Sequence, residues 1–270
     1  MKTNSNHHSS VKGINSAALV IVISFAIALL IYYYIFGYSG NFMNNDPNNY
    51  PLPGNILGTI YKGGIVVPVI QTLLLTVLIL SVERWFAINK ASGKGNMTHF
   101  VTQIKEALSK GDVESAQKLC NGQGGSLGNV VHSALQVYAE EKEDNRMTKE
   151  QKVVAIQKNI EEATSLELPS LEQNLPVIAT ITTLGTLMGL LGTVLGMIKA
   201  FSAMATAGSP DTIALSTGIS EALVNTAFGI ATGALAVISY NYFTARIDKI
   251  TYGIDEAGFT IVQTFATSQK

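Results

Sequence analysis

The sequence predicts an all-α integral membrane protein, and three observations carry that prediction. Four mostly apolar runs, 17–38, 56–82, 174–200 and 213–243, are each long enough to cross a hydrocarbon core roughly 30 Å thick. Only 14% of the 270 residues are charged, against 47% hydrophobic. Between the second and third runs lies a polar stretch, 84–173, whose apolar residues recur at helical spacing. Inside lipid the backbone must satisfy its own hydrogen bonds, so the runs are expected to be helices. The predicted fold has four transmembrane helices, a helical cytoplasmic domain between the second and third, and a long last pair.

In chain order, residues 1–16 form an N-terminal tail with two basic residues, Lys2 and Lys12. His7 and His8 within it read as part of a solvated tail. The first span, 17–38, carries no charge and no A-x-A-like cleavage site, so it reads as a retained helix and not a signal peptide. Its far end, "IYYYIFGYSG", resembles an interfacial aromatic belt. The connection 39–55 and the turn 201–212 contain no lysine or arginine, whereas 84–173 holds eleven of the eighteen basic residues. The positive-inside rule then places both termini and the 84–173 domain in the cytoplasm, with the two connections periplasmic. The second span is 56–83 and the third 174–200. Lys62 and Lys199, near the outer helix ends, are expected to snorkel to water. The fourth run has 31 residues, about 46 Å as a helix, so it should project into the cytoplasm, where 244–270 continues as an amphipathic helix.

Within 84–173, "THFVTQIKEALSKGD" reads as a helix stopped at Gly111, and Asp112 as the N-cap of the next. "GSLGNVVHSALQVYAEEKE" gives a third helix, with His132 as a packing or surface residue. A long fourth pattern feeds into the third span, loosened at Pro169 and Pro176. Twelve acidic and eleven basic residues are interspersed across the domain, which describes a solvated helical bundle and no nucleic-acid or anionic-lipid patch. The single cysteine, Cys120, cannot form an internal disulfide, and the four histidines make no metal-ligand pattern. No phosphate-binding loop or nucleophile–base motif occurs, so neither a cofactor nor an enzymatic activity is expected.

The last two spans contain the residues that lipid alone does not explain. On a helical wheel, Thr182, Thr186, Gly189, Thr193 and Gly196 share a stripe roughly 80° wide, with Gly185 beside it. Gly185 with Gly189, Gly192 with Gly196, and Gly229 with Gly233 are small-xxx-small pairs, which let helices pack closely in lipid. Glu221, Asn225, Thr232 and Ser239 fall within about 40° on the fourth span. Thr226 lies over the glycines, roughly 100° from Asn225, which puts it at a helix seam. An intramembrane carboxylate costs a few kcal/mol, about 3 on insertion scales, and normally faces a cavity or a partner. The alternative is a neutral Glu221 held by Asn225. The sequence shows no fixed positive partner for Glu221 at its depth, so that partner is expected from another chain. Several copies of the last two helices would line a polar pore in an oligomer.

Four stretches carry a family resemblance: "LSVERWFAI", "GGSLGNVVHSAL", "LEQNLPVIATITTLGTLMGLLGTVLGMIKAF" and "GISEALVNTAFGIATGALAVISYNYF". The chain resembles the ExbB/TolQ/MotA proton-channel family, on its ExbB branch. That resemblance implies an inner-membrane homopentamer around two copies of a single-span, ExbD-like partner. Such a motor uses the proton motive force to energise TonB-dependent outer-membrane transport, with a TonB-like protein as a further partner. It also implies that Thr193, Glu221 and Thr226 are the polar lining around the partner's intramembrane aspartate. Asn225 and Thr186 complete the expected lining. Thr186 stands where relatives commonly have proline, and Asn225 is more polar than the residue usual there. The extra N-terminal span makes four spans where ExbB and TolQ normally have three. A flagellar stator subunit has four but generally lacks the glutamate that Glu221 matches. A TolQ-like or motility motor, and a non-conducting membrane scaffold, are the competing functions.

Overall fold

The computed structural model describes residues 17–143, 146–206 and 212–268. The tail 1–16, with His7 and His8, and residues 207–211 of the expected 201–212 turn lie outside them, while 201–206 continue α8. The described residues are helical: α1 (Ala17–Ile31), α2 (Ile56–Lys62), α3 (Val66–Ala91), α4 (Met97–Ser109), α5 (Val113–Gln123), α6 (Gly125–Glu143), α7 (Lys149–Glu172), α8 (Leu175–Thr206) and α9 (Thr212–Ser268). Among the described residues, four helical stretches are long and apolar enough to cross a membrane, so this is a multi-pass membrane protein. The chain divides into two compact units: a span unit of 14–82 and 174–241, and a second unit made chiefly of 83–173 and 242–270.

In the span unit, α1 buries Val20, Ser24 and Ala28, one residue every four, and leaves its other faces exposed. A π-helical turn, Tyr32–Phe36, follows. Tyr33, Tyr34 and Tyr38 are exposed, as a belt requires, but Tyr32 is buried. It stacks on Tyr61 at 4.7 Å between ring centroids and donates its hydroxyl to the Tyr61 carbonyl at 2.8 Å. Tyr32, Ile60 and Val67 form a cluster against which Phe36, Val224 and Phe228 pack.

The second apolar run differs from the single helix expected over 56–83. It breaks at Gly63–Gly64 into the short α2 and the long α3. Gly64 has φ +72, a left-handed conformation open to glycine at little cost and hostile to helix continuation. Apolar length alone gave no hint of the break; the adjacent glycines were its only sign. Asn55 caps α2 by accepting from the Gly58 N–H at 3.0 Å.

The second unit builds its core from amphipathic faces. Phe100, Val101, Ile104 and Leu108 of α4, Leu127, Val130, Val131, Ala134, Leu135 and Tyr138 of α6, and Ile156 of α7 are buried. Asp112 caps α5, accepting from the Ser115 N–H at 2.9 Å, and Thr148 with Gln151 makes a reciprocal capping box on α7. The helix does not run from α7 into α8 uninterrupted. It ends at Glu172, between Pro169 and Pro176, and Asn174 takes φ +65. The C-terminal half of α9 buries Phe243, Ile247, Ile250, Ile254, Ala257, Ile261 and Phe265 at spacings of three and four. Tyr138 meets Phe265 edge-on at 4.9 Å.

Cys120 sits in this core, 2% exposed, and burial pushes its thiol up to about 12. At pH 7–8 it is therefore a protonated thiol without solvent access. We expect no maleimide adduct by intact mass in the folded protein and complete labelling in denaturant. Rapid labelling without denaturant would show that α5 is not packed as described.

Candidate functional site at the α8–α9 seam

The candidate residues lie in the span unit, where α8 and α9 run antiparallel. Their register is written in the glycines. A Cβ at Gly185 would meet Gly233 N and Gly229 O, at Gly189 the Gly229 Cα, at Gly192 the Asn225 side chain, and at Gly196 the Ala222 Cβ. Gly229 and Gly233 in turn face Gly185, Gly189 and the Thr182 carbonyl. With no hydrophobic drive between helices in lipid, close backbone approach is what holds such a pair together.

The polar residues divide into two groups along this seam. Thr193 and Thr226 bond to each other through their hydroxyls, and Thr226 Oγ1 also donates to the Gly189 carbonyl at 3.2 Å. Thr226 is thus at the helix seam, where the wheel alone puts it. Thr186 is exposed, and among the described residues its hydroxyl has a bonding partner only on its own helix, the Thr182 carbonyl at 3.4 Å. It does not join the others.

Glu221, Asn225 and Thr232 form the second group, each buried to 3% exposure or less. Asn225 does not hold Glu221. Its amide donates to the Gly63 carbonyl at 3.1 Å, so the α2–α3 break receives the side chain that follows Glu221 by one helical turn. Thr232 bonds back to the Phe228 carbonyl at 2.9 Å.

The sequence reading finds no positive partner for Glu221 within the chain, and here the structure corrects it. Lys199 Nζ lies 3.1 Å from Glu221 Oε2. The wheel treats each helix separately, whereas the antiparallel hairpin brings residues 22 apart face to face. Lys62 likewise does more than snorkel: it donates to the Pro47 and Asn48 carbonyls at 2.8 and 3.1 Å and lies over the Phe42 ring. It thereby ties the 39–55 connection down. Two further groups escaped the sequence reading. Gln71 and Thr76 on α3 are buried, and among the described residues Gln71 Oε1 and Thr76 Oγ1 have no hydrogen-bond partner. In the second unit, Arg84 is fully buried, paired with Glu83, and donates to the carbonyls of Ser170 and Leu171 in the last turn of α7. Arginine inside the conspicuous "VERW" was the available signal.

Among the described residues no cluster of histidine, cysteine and carboxylates has the geometry to hold a metal. The site's chemistry is that of hydroxyls, an amide and one ion pair: groups that can pass or hold a proton and stabilise a carboxylate.

Residues 127–256 match the profile of the MotA/TolQ/ExbB proton channel family. That stretch, 130 of the 270 residues, belongs to the family. The matched region contains Thr193, Lys199, Glu221, Asn225 and Thr226. The chain is similar to the Tol-Pal system protein TolQ of Pseudomonas aeruginosa, 39% identical over 33% of this chain and 38% of that protein. It is also similar to the biopolymer transport protein ExbB of Pseudomonas putida, 26% identical over 75% of this chain and 61% of that protein. A putative ExbB homolog of Methanothermobacter thermautotrophicus is 22% identical over 72% of this chain and 65% of that protein. The match thus spans about two-fifths of the TolQ relative and less than two-thirds of either ExbB relative. The MotA/TolQ/ExbB family is one of proton channels.

Proposed function

We propose that this chain is the channel-forming subunit of an ExbB-type inner-membrane motor, with both termini and the 84–173 domain in the cytoplasm. Five copies surround two single-span, ExbD-like subunits, and proton flow through the complex energises TonB-dependent outer-membrane transport. The observation that carries this reading is the buried Glu221, one turn from Asn225, on a helix whose glycine seam also holds the Thr193–Thr226 hydroxyl pair. A proton crossing 100 mV releases about 2.3 kcal/mol, and the polar residues of α8 and α9 supply a route on which that release is coupled to movement. Thr193, Glu221, Thr226, Asn225 and Thr186 are the proposed lining, with Thr186 reaching it only through a neighbouring copy or the partner because it is exposed in the single chain.

A TolQ-type envelope motor is the second reading, favoured by the higher identity to TolQ over its short stretch. The two share every site residue and differ in partner. The test is gentle-detergent purification from native membranes, intact-complex mass, and siderophore- or cobalamin-type uptake by the same cells. We expect Glu221→Ala and Thr226→Val each to reduce uptake by at least about tenfold while the complex keeps its mass, as loss of a proton-handling group does. Complexes that fall apart with Glu221→Ala, or Thr226→Val complexes with parental uptake, would identify a scaffold in place of a motor. A single-span partner bearing an intramembrane aspartate, and the kind of periplasmic domain it carries, separates the ExbB from the TolQ role.

A further inference from the structure

Lys199 and Glu221 are unequally placed. The lysine side chain is 66% exposed and the carboxylate 4%, across a contact of 3.1 Å. The pair lies at a cavity of about 230 Å³ lined by Lys62, Lys199, Thr217, Gly218 and Glu221 and by Asn48 and Tyr50 of the 39–55 connection. Lys62 holds the connection over it through the carbonyls of Pro47 and Asn48. The ionisable groups around Glu221 are thus Lys199 from α8, Lys62 from α2, Tyr50 from the connection and Tyr32 from the turn that follows α1.

We propose that Lys199 is the positioning residue of Glu221 and that their ion pair is the latch of this cavity. A flexible lysine already in contact with water can swing away at little cost, because its ammonium keeps its hydration. The buried carboxylate has no such freedom, and losing the Lys199 ammonium at contact distance would strand it. Release therefore accompanies neutralisation of Glu221: a proton arriving through the cavity bonds to a carboxylate oxygen, the ammonium departs still protonated, and no other bond changes. With the latch closed, Thr217 on the cavity wall is half-buried; with it open, the cavity joins the aqueous phase and Thr217 becomes fully accessible. The consequence for proton flow rests on the channel reading above, but the latch does not, and its test reads accessibility alone.

The test is Thr217→Cys in the full complex in native membranes, labelled with a small neutral maleimide so that removing a charge does not itself attract the reagent. Cys120 stays in place and the Thr217 parent supplies its blank. We expect Lys199→Met to raise the labelling rate of Thr217→Cys by about tenfold, as a shift toward the open state requires. Lys199→Arg should keep the slow rate. Lys199→Glu and Glu221→Lys should each label fast, and the two together should label slowly again. That restoration separates an ion-pair latch from a purely structural lysine. An unchanged rate in Lys199→Met overturns the proposal, and so does a charge-exchanged double variant that labels as fast as either single one. If Lys199→Met does not reach the membrane, the exchange series decides alone. A restored slow rate together with Glu221→Ala cells that take up substrate normally would keep the latch and reject the motor.

Discussion

Gly229→Leu is expected to leave almost no correctly assembled protein in the membrane. A Cβ at Gly229 would sit 2.5 Å from the Gly185 carbonyl oxygen and 2.6 Å from the Gly189 Cα. Both are backbone atoms of the facing helix, so no rotamer change relieves the clash, and α8 and α9 must separate. Overpacking a well-fitted core costs about 1–3 kcal/mol for small insertions, and a leucine against backbone exceeds that range. Separation also removes the dispersion contacts that replace hydrophobic drive in lipid. Gly122 provides the control: among the described residues, no atom beyond its own stretch of helix α5 lies within 4 Å of its Cβ position. Gly122→Ala should stabilise by about 0.5–1 kcal/mol, the helix-propensity difference. Membrane yield and the melting temperature of the purified protein check both. A Gly229→Leu protein that melts like its parent would mean that the two helices do not touch there.

The second large effect is expected at Arg84. Its guanidinium is completely buried, pairs with Glu83 and donates to the Ser170 and Leu171 carbonyls at 3.2 and 3.4 Å. Those carbonyls belong to the last turn of α7, where intrahelical partners run out. Removing one member of a buried charged network costs about 3–5 kcal/mol, because the groups left behind stay desolvated. Arg84→Leu keeps much of the volume and loses every donor, so a fall in melting temperature of several degrees is expected, with loss of the second unit's compactness in limited proteolysis. Arg84→Lys should recover only part, since an ammonium cannot reproduce the planar fork that reaches three partners. Parent-like melting of Arg84→Leu would show that α7 ends without help from Arg84.

Several levels of this protein were legible in the sequence for reasons that particular residues illustrate. The apolar runs announce spanning helices because lipid forbids unsatisfied backbone. Asp112 announces a cap because its short side chain reaches the Ser115 N–H. The glycines at 185, 189, 192, 196, 229 and 233 mark a seam because only their missing side chains permit that approach. The wheel also put Thr226 over those glycines, which is where it bonds Thr193.

What a single helix cannot reveal is its neighbour. Lys199 and Glu221 are 22 residues apart, on different helices, and only the antiparallel register of α8 and α9 makes them partners. Arg84 and Ser170 are separated by 86 positions, and nothing local to "VERW" names the end of α7 as its target. Asn225, a plausible holder for Glu221 on the wheel, turns instead to the Gly63 carbonyl, because the second run breaks there and exposes an acceptor. The sequence by itself determined that the chain is helical, that four stretches are long and apolar enough to span, and which faces pack closely: these follow from local sterics and from the solvent each segment must face. The tertiary structure alone decided which charge meets which, since an ion pair depends on the register between helices, and register is set by the sum of all contacts along the seam.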